Sequence, residues 1–163
     1  MPLAKPEPAR NSVHMTRPPL SALLLGLAGL LPFVWGALTM LFQPLAQWAV
    51  DALGPQYFGT TVLISYGRVI LAFMSGVLWG FATRTEGVKA TAGYTLSVLP
   101  ALWVYFFTGS GPTSAATYLA AGFAALLLLD GQFSRWGLAP PWWMPLRIGL
   151  TTVVLLCLLP LII

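Results

Sequence analysis

Between Leu20 and Phe42 the only polar side chains are Ser21 and Thr39, so the chain opens on an apolar stretch of more than twenty residues. About twenty apolar residues in a helix cross the ~30 Å hydrocarbon core of a bilayer. Comparable blocks follow at 60–82, 90–108, 113–129 and 146–163. With 58% of the 163 residues hydrophobic and 7% charged, against roughly 25% charged in an average soluble domain, water is the wrong solvent for this chain. The expected fold is an all-α bundle of five transmembrane helices.

The segments between the spans have their own signatures. Residues 1–19 combine Pro2, Pro6, Pro8, Pro18 and Pro19 with Lys5, Arg10 and Arg17, too proline-rich for a helix and too polar for a core, so a disordered basic tail is expected. The apolar run behind it is longer than a signal-peptide core and reads as the first span. Gln43–Gly59 reads as a short interfacial helix between spans one and two, with Leu45, Trp48, Ala49 and Ala52 on one face and a stop at Gly54–Pro55. Span two ends in the charged turn 83–87, and Gly109–Ser110–Gly111–Pro112 forces a hairpin between spans three and four. Asp130 is expected to close span four. The following stretch, 131–145, carries Trp136, Trp142, Trp143 and three prolines, a composition suited to the water–lipid boundary.

Basic residues give an orientation, because Lys and Arg in short loops favour the cytoplasmic side. Lys5, Arg10 and Arg17 precede span one, Arg84 and Lys89 follow span two, and Arg135 and Arg147 flank the fourth link. Five crossings therefore put seven of the eight basic residues on one side, with the amino terminus inside and the carboxyl terminus outside. A bacterial inner (plasma) membrane is the expected location. The mitochondrial inner membrane is the alternative, weakened because the tail prolines spoil an amphipathic presequence.

Arg68 is the exception to the charge pattern, well inside span two, where an arginine costs ~2.5–3.5 kcal/mol on insertion scales. Two environments are open to it: it snorkels to the outer headgroups, or it finds a buried acceptor. Thr61, Ser65, Arg68, Ala72, Ser75 and Trp79 follow spacings of three and four, a stripe expected to face protein. Tyr94, Ser97, Ala101, Tyr105 and Thr108 form a second mildly polar stripe on span three, beside Pro100. Gly76 and Gly80 make a GxxxG pair expected to serve helix packing inside the bundle or between copies. Asp130, at a helix end, is expected to pair with Arg135 or Arg147 in a structural clamp at the inner interface.

Catalytic chemistry finds little material. His14 is the only histidine and lies in the tail, and Cys157 is the only cysteine and lies in the last span. Neither supports a metal centre, a disulfide or nucleophilic catalysis. Glu7, Asp51, Glu86 and Asp130 all fall in the tail, links or helix ends, so no intramembrane carboxylate relay is expected. No cofactor is called for. The basic residues flank hydrophobic spans, which makes lipid headgroups, and not nucleic acid, their partners.

Several stretches together resemble the transmembrane protein 69-like family of small membrane proteins (domain of unknown function 3429). They are GLAGLLPFVWGAL (26–38), YGRVILAFMSGVLWGFA (66–82), SVLPALWVYF (97–106) and LLLLDGQFSRWGLAPPWWMPLRIGLTT (126–152). By that likeness Pro32, Trp79, Gly80, Pro100, Asp130, Trp142 and Arg147 match the family pattern, whereas Arg68 stands where a small residue is expected. The resemblance implies a membrane topology and no particular activity. The function expected from the residues is that of a non-catalytic interaction, accessory or assembly protein, partnered by the bilayer and by other membrane proteins or copies of itself. The alternative is a small-solute transporter or pore acting as an oligomer. An enzyme acting on lipid through Asp130 and Arg147 has the least support, because one acid and one base do not define a reaction.

Overall fold

The computed structural model describes residues 17–163. The expected disordered tail therefore lies, but for its last three residues, outside the described residues. Seven α-helices follow in order: α1 (Leu20–Ala28), α2 (Leu31–Leu41), α3 (Gln43–Leu53), α4 (Gly59–Ala82), α5 (Gly87–Phe107), α6 (Pro112–Arg135) and α7 (Trp143–Leu158). Short 3-10 turns occupy Pro55–Tyr57 and Leu159–Leu161. Five segments are long and apolar enough to span a membrane: Leu20–Leu41, Gly59–Ala82, Gly87–Phe107, Pro112–Arg135 and Trp143–Leu161. The protein is thus the all-α, five-span membrane protein expected.

The first span is broken once. Pro32 has no N–H to offer the carbonyl of Ala28, and the amide of Leu30 turns back to the carbonyl of Leu27 at 3.0 Å. One tightened turn at Gly29–Leu30 separates α1 from α2, after which the helix resumes with Pro32 in its first turn, the position where a missing N–H costs least.

Behind it, α3 is the short amphipathic helix anticipated between spans one and two, although its buried face differs. Ala46 and Ala49 are buried, while Trp48 and Ala52 are exposed. Trp48 instead packs edge-on against Trp35, with centroids 6.2 Å apart. Gly54, at φ 97°, ends α3 in a backbone region that a side chain disfavours. The Thr39 hydroxyl then accepts the N–H of Gly59 at 2.9 Å, satisfying one of the orphan donors at the start of α4.

At the centre of the bundle, α4 packs against α2, α5 and α6, and α7 closes the other side on α6 and α2. Leu63, Leu71 and Leu78 of α4 meet Phe33 of α2 and Leu119, Phe123 and Leu126 of α6 in one contiguous core. Two glycines set the closest crossings. A Cβ on Gly36 would stand 2.7 Å from Leu63 Cγ, and one on Gly122 would stand 2.5 Å from Leu71 Cδ2 and 2.9 Å from Trp103 Cδ1. The pair Gly76 and Gly80 makes no close crossing within this bundle, since a Cβ at either would meet nothing within 4 Å.

The largest correction concerns α6. Asp130 does not close that helix, which runs on to Arg135. The stop is a Schellman motif around Gly137 (φ 73°), whose amide bonds the carbonyl of Ser134 at 2.9 Å while that of Leu138 bonds Phe133 at 3.0 Å. The surface segment expected over 131–145 consequently shrinks to the turn between Arg135 and Trp143.

Candidate functional site: a buried ion pair and a polar helix seam

Because α6 continues past it, Asp130 lies inside the helix and is fully buried (0% exposed). An isolated carboxylate there would be expensive, and its two oxygens show how the cost is offset. Oδ2 accepts the Arg147 Nε–H at 2.8 Å, and Oδ1 accepts the Trp143 indole N–H, also at 2.8 Å. Arg147, itself 6% exposed, shares a face of α7 with Trp143 because they are four residues apart. Its guanidinium carbon sits 6.0 Å from the Trp143 ring centroid, within cation–π range. Trp143 in turn packs edge-on against Phe81 of α4, with centroids 5.1 Å apart. Three helices therefore meet on one neutral, hydrogen-bonded cluster.

The sequence places Trp143 with Trp142 as a boundary anchor. Its inward role was carried by a signal available there, the i, i+4 spacing to Arg147. Arg135, the other candidate partner of Asp130, is exposed. Nearby, the two basic links are tied together: Arg84 Nη1 donates to the carbonyl of Leu138 at 3.0 Å and Lys89 Nζ to that of Trp136 at 3.2 Å.

A second polar region runs between α4 and α5. Arg68 donates from Nε to the Thr108 hydroxyl at 3.0 Å and from Nη2 to the Thr108 carbonyl. It thereby caps the carboxyl end of α5, where cations and hydrogen-bond donors are favoured. Of the two environments left open by the sequence, the acceptor within the protein is the one Arg68 has. The Ser75 hydroxyl donates to the carbonyl of Ser97, three residues before Pro100, which lies buried inside α5. Pro100 withholds an N–H from the carbonyl of Leu96, four residues back, so the Ser75 bond ties α4 to α5 beside the proline and does not replace the rung it removes. Trp79 packs against Tyr94 with centroids 4.6 Å apart and the rings tilted by 48°. Ser65 and Thr61, expected on the same protein-facing stripe, are exposed instead. The inward stripe thus runs from Arg68 to Ser75, and Trp79 is half-exposed. Gly76 and Gly80 lie on the exposed face.

These positions fall in the part of the chain that a family model covers. The model described as "Protein of unknown function (DUF3429)" matches residues 18–163. The chain belongs to the DUF3429 family. It is similar to Transmembrane protein 69 of Xenopus tropicalis, with 32% identity over 145 residues, 86% of this chain and 53% of the relative. The chain thus spans about half the length of this curated relative. No solved structure matches. Asp130, Arg147, Pro100, Trp79 and Gly80, through which the sequence resembles the family, all lie within the matched segment, as does Arg68.

Proposed function

We propose that this DUF3429 protein is a non-catalytic accessory or assembly protein that docks a transmembrane helix of another membrane protein. The observation that carries this reading is the outward face of α4. Gly76 and Gly80 expose backbone there with no neighbour within 4 Å of either Cβ position, beside a half-exposed Trp79. Small-xxx-small faces let a second helix approach closely enough to gain dispersion and weak hydrogen bonds in lipid. The close crossings inside the bundle use Gly36 and Gly122 instead, which leaves this pair for a partner.

The carrier alternative draws less support. Arg68, Ser75 and Ser97, on which a solute path would depend, are hydrogen-bonded to one another's helices, and Ser65 faces outward. We further place the basic end, which carries Arg84, Lys89 and Arg135, on the cytoplasmic side of a bacterial inner membrane by the positive-inside rule.

Purification in a mild detergent followed by native mass spectrometry tests the docking. A stoichiometric partner that is retained by the parent chain and lost in a folded Gly76→Ile/Gly80→Ile variant supports it. A monomer without partner, or a partner held equally by the variant, overturns it. A dimer or higher oligomer of the chain alone, broken by the same variant, would favour self-association. Flux of a solute panel in vesicles, altered by Arg68→Ala or Ser75→Leu, would favour the carrier.

A further inference from the structure

Among the described residues, three buried side-chain atoms have no hydrogen-bond partner: Ser134 Oγ, Arg147 Nη2 and Thr151 Oγ1. Unpaired buried donors are costly in low dielectric, and two of these three belong to residues that line one cavity. That cavity, of about 150 Å³, lies between α1, α2, α4, α6 and α7. Arg147 and Thr151 are one helical turn apart on the same face of α7. The rest of the lining is apolar, with Phe33, Phe73, Met74 and Phe123 among it. Leu25 (73% exposed) and Phe73 (63% exposed) also belong to the lining, so the cavity opens between α1 and α4 onto the surface that meets lipid.

Charge selects the chemistry of an occupant. The Arg147 charge is already matched by Asp130 at 2.8 Å, so an anion entering the cavity would bring uncompensated charge into an apolar wall. A neutral acceptor brings none. Arg147 Nη2 and Thr151 Oγ1 have almost no free surface of their own, so the two side chains must turn toward an occupant, and one oxygen would then satisfy both donors. The volume equals that of an engineered apolar cavity that admits benzene, so a single ring or a short ester segment fits.

We propose that this cavity binds the carbonyl oxygen of a neutral, membrane-dissolved group, with Arg147 Nη2 and Thr151 Oγ1 as donors and the aromatic wall holding its apolar body. Two sources share that chemistry: an acyl-ester carbonyl of a phospholipid and a ring carbonyl of an isoprenoid quinone. By the helical rise, Arg147 and Thr151 lie ~6 and ~12 Å from the start of α7, a depth that either group reaches. The site does not depend on the helix-docking reading above.

The full chain is purified in an alkyl maltoside, which has no carbonyl, and its thermal unfolding is followed by light scattering during titration. Three probes are used: a decyl-substituted benzoquinone, a short-chain diacyl phosphatidylcholine, and the diether analogue that lacks only the ester carbonyls. Saturable stabilisation by the quinone, by the diacyl lipid or by both, absent with the diether lipid, is expected, and the responding probe identifies the source. Thr151→Val, which keeps the side-chain shape and removes the hydroxyl, should weaken binding about tenfold. No stabilisation by any probe leaves the cavity to water or lipid tails and overturns the proposal. Equal stabilisation by diester and diether lipids, without a quinone response, also overturns it, as does unchanged affinity in Thr151→Val.

Discussion

Replacing Asp130 by asparagine keeps the shape of the buried cluster and removes its charge. In the parent chain Oδ2 and Oδ1 each accept one bond of 2.8 Å, from Arg147 Nε and Trp143 Nε1. Asparagine offers one acceptor oxygen to these two donors and turns an N–H₂ toward the other. Arg147, 6% exposed, is then a buried cation without a counter-ion. Breaking a buried pair from one side costs about 3–5 kcal/mol, and the forfeited bond to a charged acceptor is part of that sum, not an addition to it. Asp130→Leu combined with Arg147→Met removes both charges and fills the space, so it should return to within about 1 kcal/mol of the parent or exceed it. Unfolding in mixed micelles with increasing sodium dodecyl sulfate, followed by circular dichroism, compares Asp130→Asn with the parent, and the parent, Asp130→Leu, Arg147→Met and the double variant give the four corners of a double-mutant cycle. A single variant within about 1 kcal/mol of the parent would refute the clamp, as would a double variant no more stable than the single. If Asp130→Asn remained fully stable, Asp130 would be free for another role.

Three further outcomes follow from the packing. Ser75→Ala should cost about 0.5–1.5 kcal/mol, because it removes the hydroxyl that ties α4 to the Ser97 carbonyl of α5; unchanged stability in the same micelle assay would count against that tie. Gly122→Ala should destabilise by about 1–3 kcal/mol, because its Cβ would press on Leu71 and Trp103, while Gly76→Ala should leave stability within about 0.5 kcal/mol; the opposite order would refute the packing. Among the described residues α1 buries no side chain, so its amides should exchange hydrogen in detergent at least about tenfold faster than those of α6, and equal protection measured by mass spectrometry would contradict this.

The five spans were legible because each is a block of apolar residues matched to bilayer thickness, and that signal does not depend on which face is buried. The position of Asp130 was not legible for a related reason. A lone carboxylate beside Gly131 resembles a helix end, and only the three-dimensional approach of Arg147 and Trp143 makes an interior position affordable. Inside the bundle GxxxG was no guide to the close crossings: the spacing of Gly76 and Gly80 reports that a helix can approach, while Gly36 and Gly122 make close crossings without any such motif. In the α4 stripe, the three-and-four spacing marks an inward face from Arg68 to Ser75, whereas Thr61, Ser65 and Trp79 are exposed. Arg68 caps the carboxyl end of α5, and no counterpart on α5 meets the earlier residues.

Helices in lipid lack a hydrophobic drive toward each other, so the few polar bonds between them decide which pairs are held firmly. Here α4 is tied to α5 through Arg68 and Ser75, α6 to α7 through Asp130, and the two basic links to one another through Arg84 and Lys89. The α1 segment has no comparable tie and is separated from α2 by the Gly29–Leu30 turn. It also forms one wall of the cavity lined by Arg147 and Thr151, whose Nη2 and Oγ1 are buried without hydrogen-bond partners. The least tethered helix thus stands beside the least satisfied polar groups. A wall that moves at low cost would admit a lipid-borne carbonyl without disturbing the Asp130–Arg147 pair, which is anchored on the opposite side by α6.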